Sequence, residues 1–158
     1  MYRIAFLAVL LALGTFNVGC IQSSDSPNSS TNASGDSDAK IAVISITSDP
    51  SSDFQAVNMG LTFAGFCADE GYDTNIFLNV KGVKLATESF PNDLSYNQNS
   101  PLKKQLIALS ERGVQIHVCP VCMKDLEIGN DEIIPEAFVT DKAKLFSKLG
   151  GDTMVFTY

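Results

Sequence analysis

The sequence predicts an α/β fold, a compact, mostly parallel sheet with helices on both faces. Three observations carry that prediction. Short β-favouring runs alternate with stretches of helical apolar spacing, the order that builds a parallel sheet through right-handed crossovers. The run Lys40-Ile41-Ala42-Val43-Ile44-Ser45-Ile46-Thr47 is almost continuously apolar, as expected of a strand covered on both faces. Glycine and proline punctuate the joints, with Gly71 and Gly113 closing helical stretches and Pro101 and Pro120 in their first turns.

The fold is expected to begin at residue 40. Before it, Arg3 leads into the apolar run Ile4 to Leu13, too short to span a bilayer comfortably and the right size for a signal-peptide core. Residues 1–19 are therefore read as an export signal. They end at Asn17-Val18-Gly19-Cys20, which resembles a bacterial lipobox and makes Cys20 the expected lipidated first residue of the mature chain. Asn17 departs from the Leu usual in that signal. Residues 20–39 are rich in Ser, Asn and Asp and cannot bury enough surface to fold, so they should form a flexible tether. The expected location is the bacterial cell envelope, facing the periplasm, with the membrane reached through the lipid anchor. Ile21 in place of the Asp associated with inner-membrane retention favours the outer membrane.

In the domain 40–158, the first strand is followed by a loop in which Asp53 caps a helix from Phe54 to Glu70. One stripe of this helix carries Phe54, Val57, Leu61, Ala64 and Ala68; a second carries Met59, Phe63, Phe66 and Cys67. Two apolar faces call for burial on both; one face should meet the sheet and the other a second subunit. Asp73 to Val80 is the second strand, and Lys81-Gly82-Val83 turns out of it. A polar loop, Glu88 to Asn99, is long enough to be a functional flap. Ser100-Pro101 opens a helix with Leu102, Leu106 and Leu109 on one face, ending at Arg112-Gly113. Val114, Ile116 and Val118 alternate through the third strand. Pro120 to Leu126 is a short helix, and Glu136 to Val139 a short strand or turn. Thr140-Asp141 caps a helix over Lys142 to Leu149, and Thr153 to Tyr158 is the last strand.

The chemistry gathers at His117-Val118-Cys119-Pro120-Val121-Cys122. Cys119 ends a strand beside a helix start, at the carboxyl edge where open parallel sheets place ligands, and backbone N–H groups there favour a thiolate. Cys122 is a resolving thiol, a disulfide partner or a helix residue. His117, two residues upstream on the same face, is a possible auxiliary, although a packed strand histidine is the commoner role. Lys81 is a second possible auxiliary, with a solvated turn lysine as the plainer alternative. Cys67 belongs to the core. With 11 basic against 18 acidic residues and a formal charge of −7, the chain does not suit nucleic acid.

The domain resembles the DsrE/DsrF/TusD-like family, which includes the YchN type. Ile76 to Ala86 looks like that family's second strand and following turn, and Ser110 to Val114 with Val118 to Lys124 looks like its cysteine segment. The resemblance implies flavodoxin-like layering, trimers or hexamers, and sulfur relay. Its sulfur-relay members take sulfane sulfur as a persulfide on the cysteine corresponding to Cys119, with donor or acceptor proteins as partners. Glu127 stands where many members have glycine. Persulfide transfer needs an exposed, low-pKa sulfur and no bound cofactor. Three readings compete with it. One is a thioredoxin-like dithiol redox protein, although two strand–helix units precede the cysteine pair here. Another is a soft-metal module using His117, Cys119 and Cys122, for which the sequence offers no fourth ligand. The last is an envelope protein that uses the fold only for assembly.

Overall fold

A computed structural model describes residues 40–158; the signal segment 1–19, Cys20 and the 20–39 tether lie outside the described residues. Five parallel strands form one sheet in the order β4-β3-β2-β1-β5. They are β1 (Ile41–Ile46), β2 (Asp73–Leu78), β3 (Gln115–Val118), β4 (Phe138–Val139) and β5 (Thr153–Thr157). The helices are α1 (Phe54–Asp69), α2 (Leu102–Glu111), α3 (Pro120–Asp125) and α4 (Lys142–Phe146). The chain steps in one direction from β1 to β4 and then returns across the sheet to β5 beside β1. Right-handed crossovers put α1 and α2 on one face and the returning α4 on the other.

The core lies on the α1–α2 face. Ala42, Ile44 and Ile46 of β1, Ile76 and Leu78 of β2, and Ile116 and Val118 of β3 meet Val57, Leu61 and Ala64 of α1 and Leu102, Leu106 and Leu109 of α2. Each fully buried aliphatic side chain here contributes about 1.5–3 kcal/mol. Cys67 is buried in this core, as expected, and burial pushes its thiol pKa up. The second stripe of α1 is only partly used. Phe63 packs 4.5 Å from the ring of Phe156 in β5, whereas Met59 and Phe66 stay 44% and 56% exposed.

The opposite face has thinner cover. Lys144 of α4 sits 3.8 Å over the Phe138 ring, and Lys148 lies 3.9 Å from Asp73. At the other edge of the sheet Val155 of β5 remains 61% exposed. The helix is shorter than expected, ending at Phe146 rather than Leu149. Its sequence places Phe146 and Leu149 in solvent, so little burial extends it. The second strand also stops early. Val80, expected at its end, opens a 3-10 segment, Val80–Ala86, that packs Val83, Leu85 and Ala86 into the core. Gly82 permits that packing, because a Cβ there would collide with the Ile46 carbonyl at the end of β1. The second helix begins one residue later than Ser100-Pro101 implied, with Pro101 as its N-cap.

Three helices end alike. In α1, α2 and α3 the last turn closes through a paired backbone motif: Tyr72 N–H to Cys67 O at 3.0 Å, Val114 N–H to Leu109 O at 3.1 Å, and Ile128 N–H to Met123 O at 2.9 Å. The motif needs a left-handed residue just past the cap. Gly71 and Gly113 supply it at φ 79 and 90, and Glu127 supplies it at φ 56. Glu127 therefore keeps a glycine-like backbone despite its side chain.

Candidate functional site: a thiol pair at the carboxyl edge of the sheet

β3 ends at Val118, and Cys119 caps α3 from an extended conformation (φ −74, ψ 113). Pro120 follows in the first turn, where its missing N–H removes no helical bond. One turn of α3 carries Cys122 back over Cys119. The two sulfurs lie 2.9 Å apart, the Cys122 thiol donating to Cys119 Sγ. The Cys122 N–H also points at Cys119 Sγ, from 3.4 Å. Cys122 Sγ in turn accepts the Val80 N–H at 3.1 Å. The result is a directed chain from the Val80 amide through the Cys122 thiol to Cys119, in which each bond polarises the next.

Both sulfurs are half-buried against the core, and Val80 and Val121 beside them are 55% and 67% exposed. Burial, followed by its hydrogen bond to Cys119, raises the pKa of Cys122 and keeps it a thiol. Cys119 is the acceptor of two bonds, the arrangement that suits the attacking sulfur of the pair. Val80 has φ 48, a strained conformation for a β-branched residue. That strain turns its N–H toward Cys122. No local signal in the sequence marks Val80 for this role; Gly82 two residues on is the only trace, since it lets the 3-10 segment sit close enough to β1.

The other expected residues are not brought to the sulfurs. His117 has 0% exposure and lies on the α4 face. Its Nε2 is 3.2 Å from Asn75 Oδ1 and its Nδ1 is 3.2 Å from Thr140 Oγ1. Asn75 is oriented by its own Nδ2, which donates to the Asp73 carbonyl at 3.2 Å. Its oxygen therefore faces the ring, Nε2 carries the proton, and the Thr140 hydroxyl serves Nδ1. Phe138 packs edge-on against the same ring at 4.5 Å. Burial, reinforced by the charges of Lys144 and Lys148, lowers the His117 pKa to about 4, with Asp73 opposing. The imidazole is neutral with both nitrogens committed to packing partners on the α4 face, whereas the sulfurs pack against the core, so the expected cooperation of His117 with Cys119 is not formed. Asn75 and Thr140, its partners, lie far apart in sequence and carried no motif.

Lys81 is exposed, and its charge acts on Asp49 rather than on a thiol. Burial pushes the Asp49 carboxyl up, but its 2.8 Å bond to Lys84 and the Ser51 N–H outweigh that and hold its pKa low. The pair ties the β1–α1 loop to the 3-10 segment. Among the described residues, no group of three or more His, Cys, Asp and Glu side chains converges as a metal site. The long loop after Thr87 is pinned by Lys103, 4% exposed, whose Nζ donates to Glu88 O at 3.0 Å and Phe90 O at 3.3 Å.

An all-parallel five-stranded sheet with a dithiol on its carboxyl edge defines a cysteine-bearing α/β domain, and the particular family follows from comparison. The model of the DsrE/DsrF-like family matches residues 40–151; the chain belongs to that family. The fold is shared with the YchN protein of E. coli, whose crystal structure aligns with a TM-score of 0.57 at 16% identity over 76% of this chain and 99% of that one. MTH1491 from Methanobacterium thermoautotrophicum, described as a protein of unknown function, aligns with a TM-score of 0.56 at 13% identity over 77% of this chain and 100% of that one. No curated protein sequence matches the chain. At these identities the two structures speak to fold alone.

Proposed function

We propose that this DsrE-like chain is an envelope-anchored sulfur carrier, in which Cys119 takes sulfane sulfur as a persulfide and hands it to a partner. The observation that carries the reading is the direction of the hydrogen bonds at the dithiol. Cys119 Sγ accepts the Cys122 thiol at 2.9 Å and the Cys122 N–H at 3.4 Å. A half-buried sulfur on a sheet edge, flanked by exposed Val80 and Val121, suits a handover inside a protein–protein contact, where water is kept from a labile persulfide. The lipid on Cys20 and the 20–39 tether would hold the domain near its membrane, the outer one by the Ile21 criterion. The exposed Met59 and Phe66 on α1 favour assembly as a homo-oligomer, the trimer or hexamer implied by the family.

The test is a brief exposure of the reduced full chain to a sulfane donor, rapid alkylation, and peptide mass mapping. The reading expects the added sulfur on the Cys119 peptide and none on Cys67. Sulfur confined to Cys67, or absent from every cysteine while Cys119 and Cys122 both remain reduced, would remove it.

A further inference from the structure

A carrier must keep its persulfide until a partner arrives, and Cys122 stands in the way of that. Once Cys119 Sγ bears a second sulfur, it becomes the inner sulfur of a persulfide, and an inner sulfur is open to attack by a neighbouring thiol. Cys122 Sγ lies 2.9 Å from that atom in the resting pair. A disulfide needs the two at about 2.05 Å, a closure that side-chain rotation within one turn of α3 can supply. Among the described residues nothing else competes for the position: Cys67 of α1 is buried in the core, and His117 has both nitrogens engaged.

Resting on the persulfide reading above, we propose that the Cys119–Cys122 pair reduces sulfane sulfur and releases it as sulfide, with Cys122 as the second catalytic residue. In the first step Cys119 Sγ, as thiolate, attacks the outer sulfur of an alkyl persulfide. The new bond joins Cys119 Sγ to that sulfur, the donor's S–S bond breaks, and the alkyl thiolate leaves with the electron pair. The leaving thiolate takes up the Cys122 proton. In the second step Cys122 Sγ attacks Cys119 Sγ, the Cys119–sulfur bond breaks, and hydrosulfide leaves with that pair. One persulfide and two protein thiols thus give one alkyl thiol, one hydrogen sulfide and one disulfide. The sulfane sulfur is reduced by two electrons and the two cysteines are oxidised by two. A further turnover needs an external dithiol, small or protein-borne, to reopen the disulfide.

The Val80 amide belongs to this step. Its N–H reaches Cys122 Sγ at 3.1 Å and stabilises that sulfur as its proton departs, offsetting the burial that otherwise favours the thiol. Val80 is accordingly a positioning residue, acting through Cys122.

The experiment is a single turnover of the reduced full chain with an alkyl persulfide, reading free sulfide, the disulfide between Cys119 and Cys122, and the sulfur content of the Cys119 peptide. The Cys119→Ser chain is the blank. The native chain is expected to release sulfide in amount equal to the protein and to end as the disulfide. Cys122→Ser is expected to lose sulfide release and to retain the sulfur on Cys119. Circular dichroism of both variants checks that each keeps the native fold. If native protein and Cys122→Ser both hold a stable persulfide on Cys119 without sulfide release, this inference falls and the carrier reading stands. If neither acquires sulfur, both fall.

Discussion

Acidification should expose the structural role of His117. Between pH 6.5 and about 4 the unfolded chain binds a proton on this imidazole that the folded chain refuses, because burial and the nearby Lys144 and Lys148 lower its folded pKa to about 4. Stability rises with pH wherever the unfolded state binds more protons. The contribution of His117 is therefore complete above 6.5 and is lost as the pH falls through the window to about 4. At about 1.36 kcal/mol per unit of pKa, the swing is about 3 kcal/mol, which is a sizeable part of a small domain's total stability. Urea unfolding at stepped pH, on the native chain and on His117→Gln, isolates it. The glutamine amide can still meet Asn75 and Thr140 but does not titrate, and the carboxylates titrate alike in both proteins. The native chain should lose about 3 kcal/mol more than the variant across the window. Parallel losses in the two proteins would show that His117 is not the neutral, fully committed group described above.

Further substitutions test the scaffold around the dithiol. Glu127→Gly places the residue suited to φ 56 at the end of α3 and should raise the urea midpoint by the equivalent of about 0.5–1 kcal/mol, the left-handed penalty less glycine's entropy in the unfolded chain. Gly82→Ala drives a methyl group into the Ile46 carbonyl; a loss of about 1–3 kcal/mol is expected, as for an overpacked core, read by the same unfolding assay. Lys103→Met keeps the buried stem and deletes the bonds to Glu88 O and Phe90 O. It should lower stability by about 2 kcal/mol, in the range of charged hydrogen bonds, and speed amide exchange through residues 88–99.

The sheet was legible because each of its main strands is a compact apolar run and each joint carries its own stop signal. Gly71 and Gly113 ended their helices where expected, and Pro120 announced the turn that presents Cys119. The resemblance pointed to the helix end at Glu127, but its left-handed backbone, φ 56, is a finding of the structure. What stayed hidden depends on distance in sequence. Strand order could not be read, because β5 pairs with β1 across more than a hundred residues. The fate of His117 was set by Asn75 and Thr140, which approach only once β2, β3 and the segment after β4 lie side by side. Val80 carries the β-branching that favours a strand; tertiary packing of Val83 and Leu85 overrides that preference, and its amide meets Cys122 instead.

The account rests on Cys119 being the reactive sulfur of the chain, and its relative alkylation rate tests that most directly. In the reduced, folded full chain, time-resolved labelling with iodoacetamide should modify Cys119 first and Cys122 more slowly, with Cys67 protected until unfolding. Labelling of Cys119 no faster than that of Cys67 would contradict the account.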